Sequence, residues 1–183
     1  MRVITGSARG RRLITPEGYD TRPTGEKVKE ALFSAIHFDL ENKRVLDLFA
    51  GSGQLGIEAL SRGADYCVFI DNGREACEVV KANLEATGLK QKALVSAMDA
   101  KMFLLHSRDT FDIVLLDPPY KKGILLEIEE ALKKVISENS IVICETERNE
   151  ELPEVFASLP IYKDKRFGET RLRIYREAQK DIY

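Results

Sequence analysis

Two stretches of this chain carry side chains whose types and spacing could do chemistry. In one, Asp117-Pro118-Pro119-Tyr120 closes the apolar run Ile113-Val114-Leu115-Leu116. In the other, an apolar run opening at Val45 empties into the glycine loop Asp47-Leu48-Phe49-Ala50-Gly51-Ser52-Gly53. The exocyclic amine of a nucleobase is a poor nucleophile, because its lone pair is delocalised into the ring. Hydrogen bonds from its N–H groups to the Asp117 carboxylate and the Pro118 carbonyl would hold it in line with a methyl donor and encourage a pyramidal nitrogen. The two prolines stiffen the backbone, so that carbonyl is aimed in advance. Tyr120 offers an aromatic face on which an unstacked base could rest. Positioning and electrostatics carry such a transfer, with no metal or covalent intermediate expected. The plain alternative is a strand ended by a Pro-Pro turn and a surface tyrosine. Its place after the fourth strand of a cofactor-binding pattern argues against that.

The glycine loop has two readings. Gly51-Ser52-Gly53-Gln54-Leu55-Gly56 matches G-x-G-x-x-G, and Asp71 follows at the spacing expected of an acid that binds ribose hydroxyls. Nicotinamide and S-adenosylmethionine folds both use such a turn, since glycine lets the backbone approach a ligand without a Cβ in the way. Asp47 favours the second reading, because a carboxylate there would attract a cationic cofactor and repel a pyrophosphate. Asp99, followed by Ala100, stands after the third strand, where it could receive an adenine amino group.

These residues need elements to position them. Buried strands are expected over 45–49, 66–71, 93–96, 111–117 and 141–144, and helices over 54–61, 100–106 and 125–136. A further helix begins near Asn72, its expected cap, with Glu75 three residues on, and stops at Gly88. Strands alternating with helices mean crossover units and a parallel sheet covered on both faces. Residues 161–167 and 170–175 flank Gly168-Glu169, and Leu172 and Ile174 alternate with Arg171 and Arg173, the pattern of an antiparallel hairpin. The expected fold is therefore α/β: a Rossmann-like class I methyltransferase sheet, mostly parallel, with a C-terminal antiparallel hairpin. Residues 2–5 and 11–15 read as a small N-terminal hairpin, followed by a helix capped by Thr24 in which Val28, Leu32, Ala35, Ile36 and Leu40 share a face. The expected division is a basic hairpin extension over 1–22 and a methyltransferase domain over 23–183.

With 183 residues the chain can bury a sizeable core, and no apolar run approaches the roughly 20 residues a membrane helix needs. Met1-Arg2-Val3-Ile4 lacks the apolar stretch of a signal peptide, so the cytoplasm is the expected compartment. Cys67, Cys77 and Cys144 are too widely spaced for a disulfide framework or a metal site, and are expected as buried thiols. The net charge of −2 hides an asymmetry, because residues 1–29 carry seven basic and three acidic side chains. A polyanion would be drawn to that segment rather than to the body; the alternative is a solvated charged face.

Together with Arg9-Gly10-Arg11-Arg12-Leu13 and Thr21-Arg22-Pro23-Thr24, these motifs make the chain resemble the RsmD family, from Arg2 to Tyr175. Val45-Leu46-Asp47-Leu48-Phe49-Ala50-Gly51-Ser52-Gly53 and Leu55-Gly56-Ile57-Glu58-Ala59-Leu60 are especially similar to its cofactor motif. The resemblance implies an S-adenosylmethionine-dependent enzyme that methylates guanine N2 in 16S ribosomal RNA or the small ribosomal subunit. It implies that Asp47 and Gly51, Ser52 and Gly53 hold the methionine end of the cofactor, Asp71 the ribose and Asp99 the adenine, with Phe49, Ala50, Asn72 and Ala100 beside them. Asp117, Pro118, Pro119 and Tyr120 would form the catalytic clamp, and Arg9, Arg11, Arg12 and Arg22 would contact RNA. Adenine-N6 enzymes use similar tetrapeptides, so the clamp alone leaves that alternative open. From other classes stand a nicotinamide-dependent oxidoreductase and a noncatalytic RNA-binding assembly factor. His37 and His106 fit helix-end positions better than catalysis.

Overall fold

The central strands are continuous apolar runs because helices cover both faces of the sheet they form. The computed structural model describes residues 1–16, 25–119 and 123–178. Five parallel strands, β1 (Arg44–Asp47), β2 (Tyr66–Asp71), β3 (Ala93–Ala97), β4 (Ile113–Leu116) and β5 (Ile141–Glu147), alternate with helices. The helices are α1 (Glu26–Ala35), α2 (Gln54–Ser61), α3 (Arg74–Thr87), α4 (Ala100–His106) and α5 (Ile124–Leu132). Three strands follow, β6 (Val155–Phe156), β7 (Leu159–Phe167) and β8 (Thr170–Tyr175), and the sheet runs β3-β2-β1-β4-β5-β8-β7-β6. β8 is antiparallel to both β5 and β7, which is the expected C-terminal hairpin.

Alternation along each strand divides the core in two. Val45, Phe69, Leu115 and Ile143 pack with α1, α2 and α3 on one face. Leu46, Ile70, Leu116 and Cys144 pack with α4 and α5 on the other. The chain winds from β1 outward to β2 and β3, then returns to build β4 and β5 on the opposite side. Strand order therefore reverses between β1 and β4, where open α/β sheets bind ligands beyond their C-terminal strand ends.

The N-terminal segment pairs less than a hairpin would. Arg2 and Arg12 form one isolated antiparallel bridge, with hydrogen bonds from Val3 N–H to Arg11 O and from Leu13 N–H to Met1 O. The reason is competition. Ile4 and Thr5 donate their N–H groups to the Glu58 carboxylate of α2, and Ala8 donates to Ser61 Oγ. Val3, Ala8 and Leu13 are buried in the same core as α2, so this strap is stitched onto the helix. Lys29 of α1 completes the stitch, donating to Arg2 O and lying 3.5 Å from Glu58.

Three other expectations meet a different outcome or fall outside the described residues. Thr24 lies outside them, and the residue flanking α1 is Gly25. Asn72 does not cap α3: Gly73 holds that position, and its N–H donates to Asp71 Oδ1. α5 ends at Leu132 rather than at 136, because Lys134 and Val135 donate back three residues, tightening the chain out of the α-helix. Within the hairpin, Arg173 is charged yet turned away from solvent. It is buried, donating to Thr146 Oγ1 and Glu150 O beneath the segment after β5. The three cysteines are all buried and free. Among the described residues, no helix is long and apolar enough to cross a membrane.

Candidate active site

A cavity of about 470 Å³ opens across the C-terminal ends of the parallel strands. Its lining includes Asp47, Phe49, Ala50, Gly51 and Ser52 after β1, Asp71 and Asn72 after β2, Asp99 and Ala100 after β3, and Asp117, Pro118 and Pro119 after β4. The glycine loop and the Asp117-Pro118 turn thus share one chamber. Of the expected cofactor residues, Gly53 is absent from the lining, and of the clamp, Tyr120 lies outside the described residues.

The loop is shaped by backbone demands. Gly51 has φ +54° and Gly53 φ +77°, in the left-handed region that favours glycine. Gly53 flanks the start of α2, and a Cβ there would meet Val80 at 3.1 Å. Gly56 does a different job. Its helix packs so tightly on β2 that an added Cβ would lie 2.3 Å from Phe69 Cε1. The third glycine of the motif is therefore a packing residue.

Three acids hold this architecture while facing the cavity. Asp71 accepts the Gly51 N–H at 2.9 Å on Oδ2 and the Gly73 N–H at 2.8 Å on Oδ1, tying the glycine loop to the β2–α3 turn. Asp99 caps α4, accepting the Met102 N–H at 3.0 Å. Asp47 is 1% exposed and accepts the Gly56 N–H at 2.9 Å. Burial pushes its carboxyl up to about 7; the charges of Asp117 and Asp71 add to this, and the Gly56 hydrogen bond opposes it. Period-2 alternation carries Asp47, Asp71, Asp117 and Glu145 to the sheet face that holds Val45, Phe69, Leu115 and Ile143. Asp47 pairs in register with Phe69 and Leu115, one pleat below Asp71 and Asp117. A chamber with such walls favours a ligand carrying positive charge.

Gln54 was missed by reading the sequence. It is the first residue of α2, lines the cavity and is 9% exposed, and its Oε1 is buried with no hydrogen-bond partner. Glu145 and Met1 also line the chamber unforeseen. Glu145 ends the fifth apolar run as the other acids end theirs, so its place in the sequence does carry a signal. Met1 arrives through the strap, with Ser52 Oγ 3.5 Å from its sulfur, and nothing local announces that. Among the described residues, no cluster of His, Cys, Asp or Glu could hold a metal ion. Arg9, Arg11 and Arg12 are exposed on the strap, outside the cavity lining. Arg22 lies outside the described residues.

A family described as conserved hypothetical protein 95 matches residues 1–176, and Ribosomal RNA small subunit methyltransferase D of Escherichia coli (strain K12) is 35% identical over 182 residues. The chain belongs to the RsmD family. The E. coli relative is aligned across 98% of this chain and 91% of its own length. The Bacillus subtilis protein YlbH is 42% identical over 185 residues, covering 97% of this chain and 99% of YlbH. The solved structure of yhhF from E. coli matches with a TM-score of 0.84 and 34% identity, covering 98% of this chain and 99% of that one. An eight-stranded, mostly parallel sheet with antiparallel C-terminal strands is thus the RsmD-family methyltransferase fold.

Proposed function

We propose that this RsmD-family protein transfers a methyl group from S-adenosylmethionine to the N2 amine of a guanine in 16S ribosomal RNA. The observation that carries the reading is the single chamber shared by the glycine loop and the Asp117-Pro118 turn. Its walls fit the cofactor in three respects. Gly51, in the left-handed region and with open space where a Cβ would stand, keeps side chains out of the loop's approach to a ligand. Asp47 and Asp71 complement a ligand that carries a sulfonium and an ammonium, where a pyrophosphate would be repelled. Gln54 Oε1 supplies a buried acceptor that needs a donor. The volume also suits a nucleoside-sized ligand.

The mechanism follows from the chain's own groups. Asp47 and the glycine loop would hold the methionine end, Asp71 the ribose and Asp99 the adenine. Bound there, S-adenosylmethionine supplies an electrophilic methyl group. Asp117 and the Pro118 carbonyl would accept the two amine N–H groups, withdrawing the nitrogen lone pair from conjugation with the ring and aiming it into the chamber. Pro118 is buried, which fixes the carbonyl. Methyl transfer would exchange the methyl–sulfur bond for the N–C bond, leaving a neutral thioether, and Asp117 or water would take the surplus amine proton. Tyr120 would stack on the extruded base. Residues 1–22 act as a basic extension whose Arg9, Arg11, Arg12 and Arg22 contact RNA phosphates, with 23–183 as the transfer domain.

The test is Asp117→Ala, assayed with labelled S-adenosylmethionine on small ribosomal subunits lacking the modification. Its kcat falls by about 10²- to 10³-fold while cofactor affinity stays within about twofold. Mass analysis of the wild-type product separates N2-methylguanine from N6-methyladenine. A fully active Asp117→Ala would remove the clamp from the mechanism.

A further inference from the structure

β4 and β5 run parallel, and their register pairs Leu116 with Cys144. The next residues are Asp117 and Glu145, so the two carboxylates stand on adjacent strands, with backbones about 4.8 Å apart. Alternation carries both to the face occupied by Leu115 and Ile143. Both line the cavity, and Glu145 is 7% exposed. In a strand paired with Leu172 of β8, this buried carboxylate stands where an N–H brought by a ligand could meet it in a charge-assisted hydrogen bond.

We infer that Glu145 reads the Watson–Crick edge of the target base and sets guanine against adenine. The inference rests on the proposed reading of the chamber and adds a residue to it. Guanine presents two donors side by side on that edge, the N2 amine and N1–H. Adenine presents its N6 amine beside an N1 lone pair. With the amine on Asp117 and Pro118, the neighbouring ring nitrogen faces the neighbouring carboxylate. For guanine that contact is a charge-assisted N1–H hydrogen bond. For adenine it sets lone pair against negative charge, a repulsion that rejects the wrong base. Glu145 is thus a specificity residue, and Asp117 remains the group on the reacting nitrogen.

The experiment replaces the guanine methylated by the wild-type protein with 2-aminopurine, which keeps the 2-amine but has no N1 proton. Wild type discriminates against 2-aminopurine by about 50-fold in kcat/KM, the scale of one well-placed base contact. Glu145→Gln, which can also donate to an unprotonated N1, lowers that ratio to about fivefold, chiefly by losing rate on guanine. The missing O6 of 2-aminopurine weighs on both proteins alike, so comparing the two ratios isolates the N1–H interaction. S-adenosylhomocysteine affinity, unchanged within about twofold, certifies an intact cofactor half. An unchanged ratio in Glu145→Gln overturns the assignment. So does wild type accepting 2-aminopurine as readily as guanine, a measurement that needs no variant. A wild-type protein that methylates no guanine overturns the proposed function as well, and the first assay alone reveals it.

Discussion

On the proposed reading of the chamber, the raised pKa of Asp47 ties cofactor binding to pH with a definite sign. Its carboxyl stands at about 7 against an ordinary 3.8, because the side chain is buried beneath the glycine loop and shares its surroundings with Asp117 and Asp71. The folded value lies above the unfolded one, so its contribution to stability is fully present below pH 3.8 and is lost as pH rises through about 7. A gap of about three units is on the order of 4 kcal/mol, an upper bound on what the ligand-free protein loses by ionising this one group. A cationic ligand reverses the preference, since it favours the carboxylate. Affinity for S-adenosylmethionine should therefore fall about tenfold for each pH unit below 7 and level off above it.

Calorimetry between pH 5.5 and 7.5, in buffers of different ionisation enthalpy, reads both affinity and the proton released. At pH 6 close to one proton should leave per complex. Asp47→Asn mimics the protonated state. It should remove most of the slope, weaken binding, and stabilise the ligand-free protein at pH 8 by about 2 kcal/mol, less than the ceiling because the new amide N–H groups need partners. Affinity independent of pH, with no proton release, would refute the reasoning. So would an Asp47→Asn variant less stable than wild type at pH 8.

Gln54→Leu removes an acceptor that has no partner in the ligand-free chamber, so its melting temperature should hold or rise while S-adenosylhomocysteine affinity falls about tenfold. Gly56→Ala forces a methyl to 2.3 Å from Phe69 Cε1 and 2.8 Å from Cys67 Sγ, and urea unfolding should show a loss of about 3 kcal/mol. Glu58→Gln leaves Lys29, itself 1% exposed and with its pKa lowered by burial, without its countercharge; about 3 kcal/mol of stability should go, read by the same assay. Arg11→Gln/Arg12→Gln should flatten the salt dependence of RNA affinity by about 0.7 in the log–log slope for each phosphate left without its arginine.

Much of this fold can be read from local signals. α2 runs Gln54–Ser61 and α4 runs Ala100–His106, as expected, because the left-handed Gly53 and the capping Asp99 mark their starts in the sequence itself. β2, at Tyr66–Asp71, and the turn between β7 and β8 are equally local. What escaped depends on distant partners. The N–H groups of the strap reach Glu58 and Ser61, more than 50 positions away, and so leave the ladder that a hairpin would form. Arg173 alternates with Leu172 and Ile174, yet the segment after β5 covers it. In the site, the three acids expected after β1, β2 and β3 do line one chamber, but Asp71 and Asp99 also brace the backbone. Gln54 occupies a free position of the glycine motif, so its type carried no signal.

The chamber's charge separates the two cofactor classes that share a glycine turn. Asp47 sits deepest, Asp71 and Asp117 stand one pleat above it, and Glu145 stands beside Asp117. Burial raises the Asp47 carboxyl first, and repulsion from the charges of Asp117 and Asp71 adds to it. A dinucleotide would add its own negative charge to that repulsion. A sulfonium donor and an amine-bearing base instead bring positive charge and N–H donors to the same carboxylates. The eight residues of α2 carry the consequence outward, since Gln54 lines the chamber and Glu58 and Ser61 hold the arginine-bearing strap. Loosening that stitch should therefore disturb RNA binding and cofactor binding together, whereas neutralising Arg11 and Arg12 on the strap's exposed surface should disturb RNA binding alone.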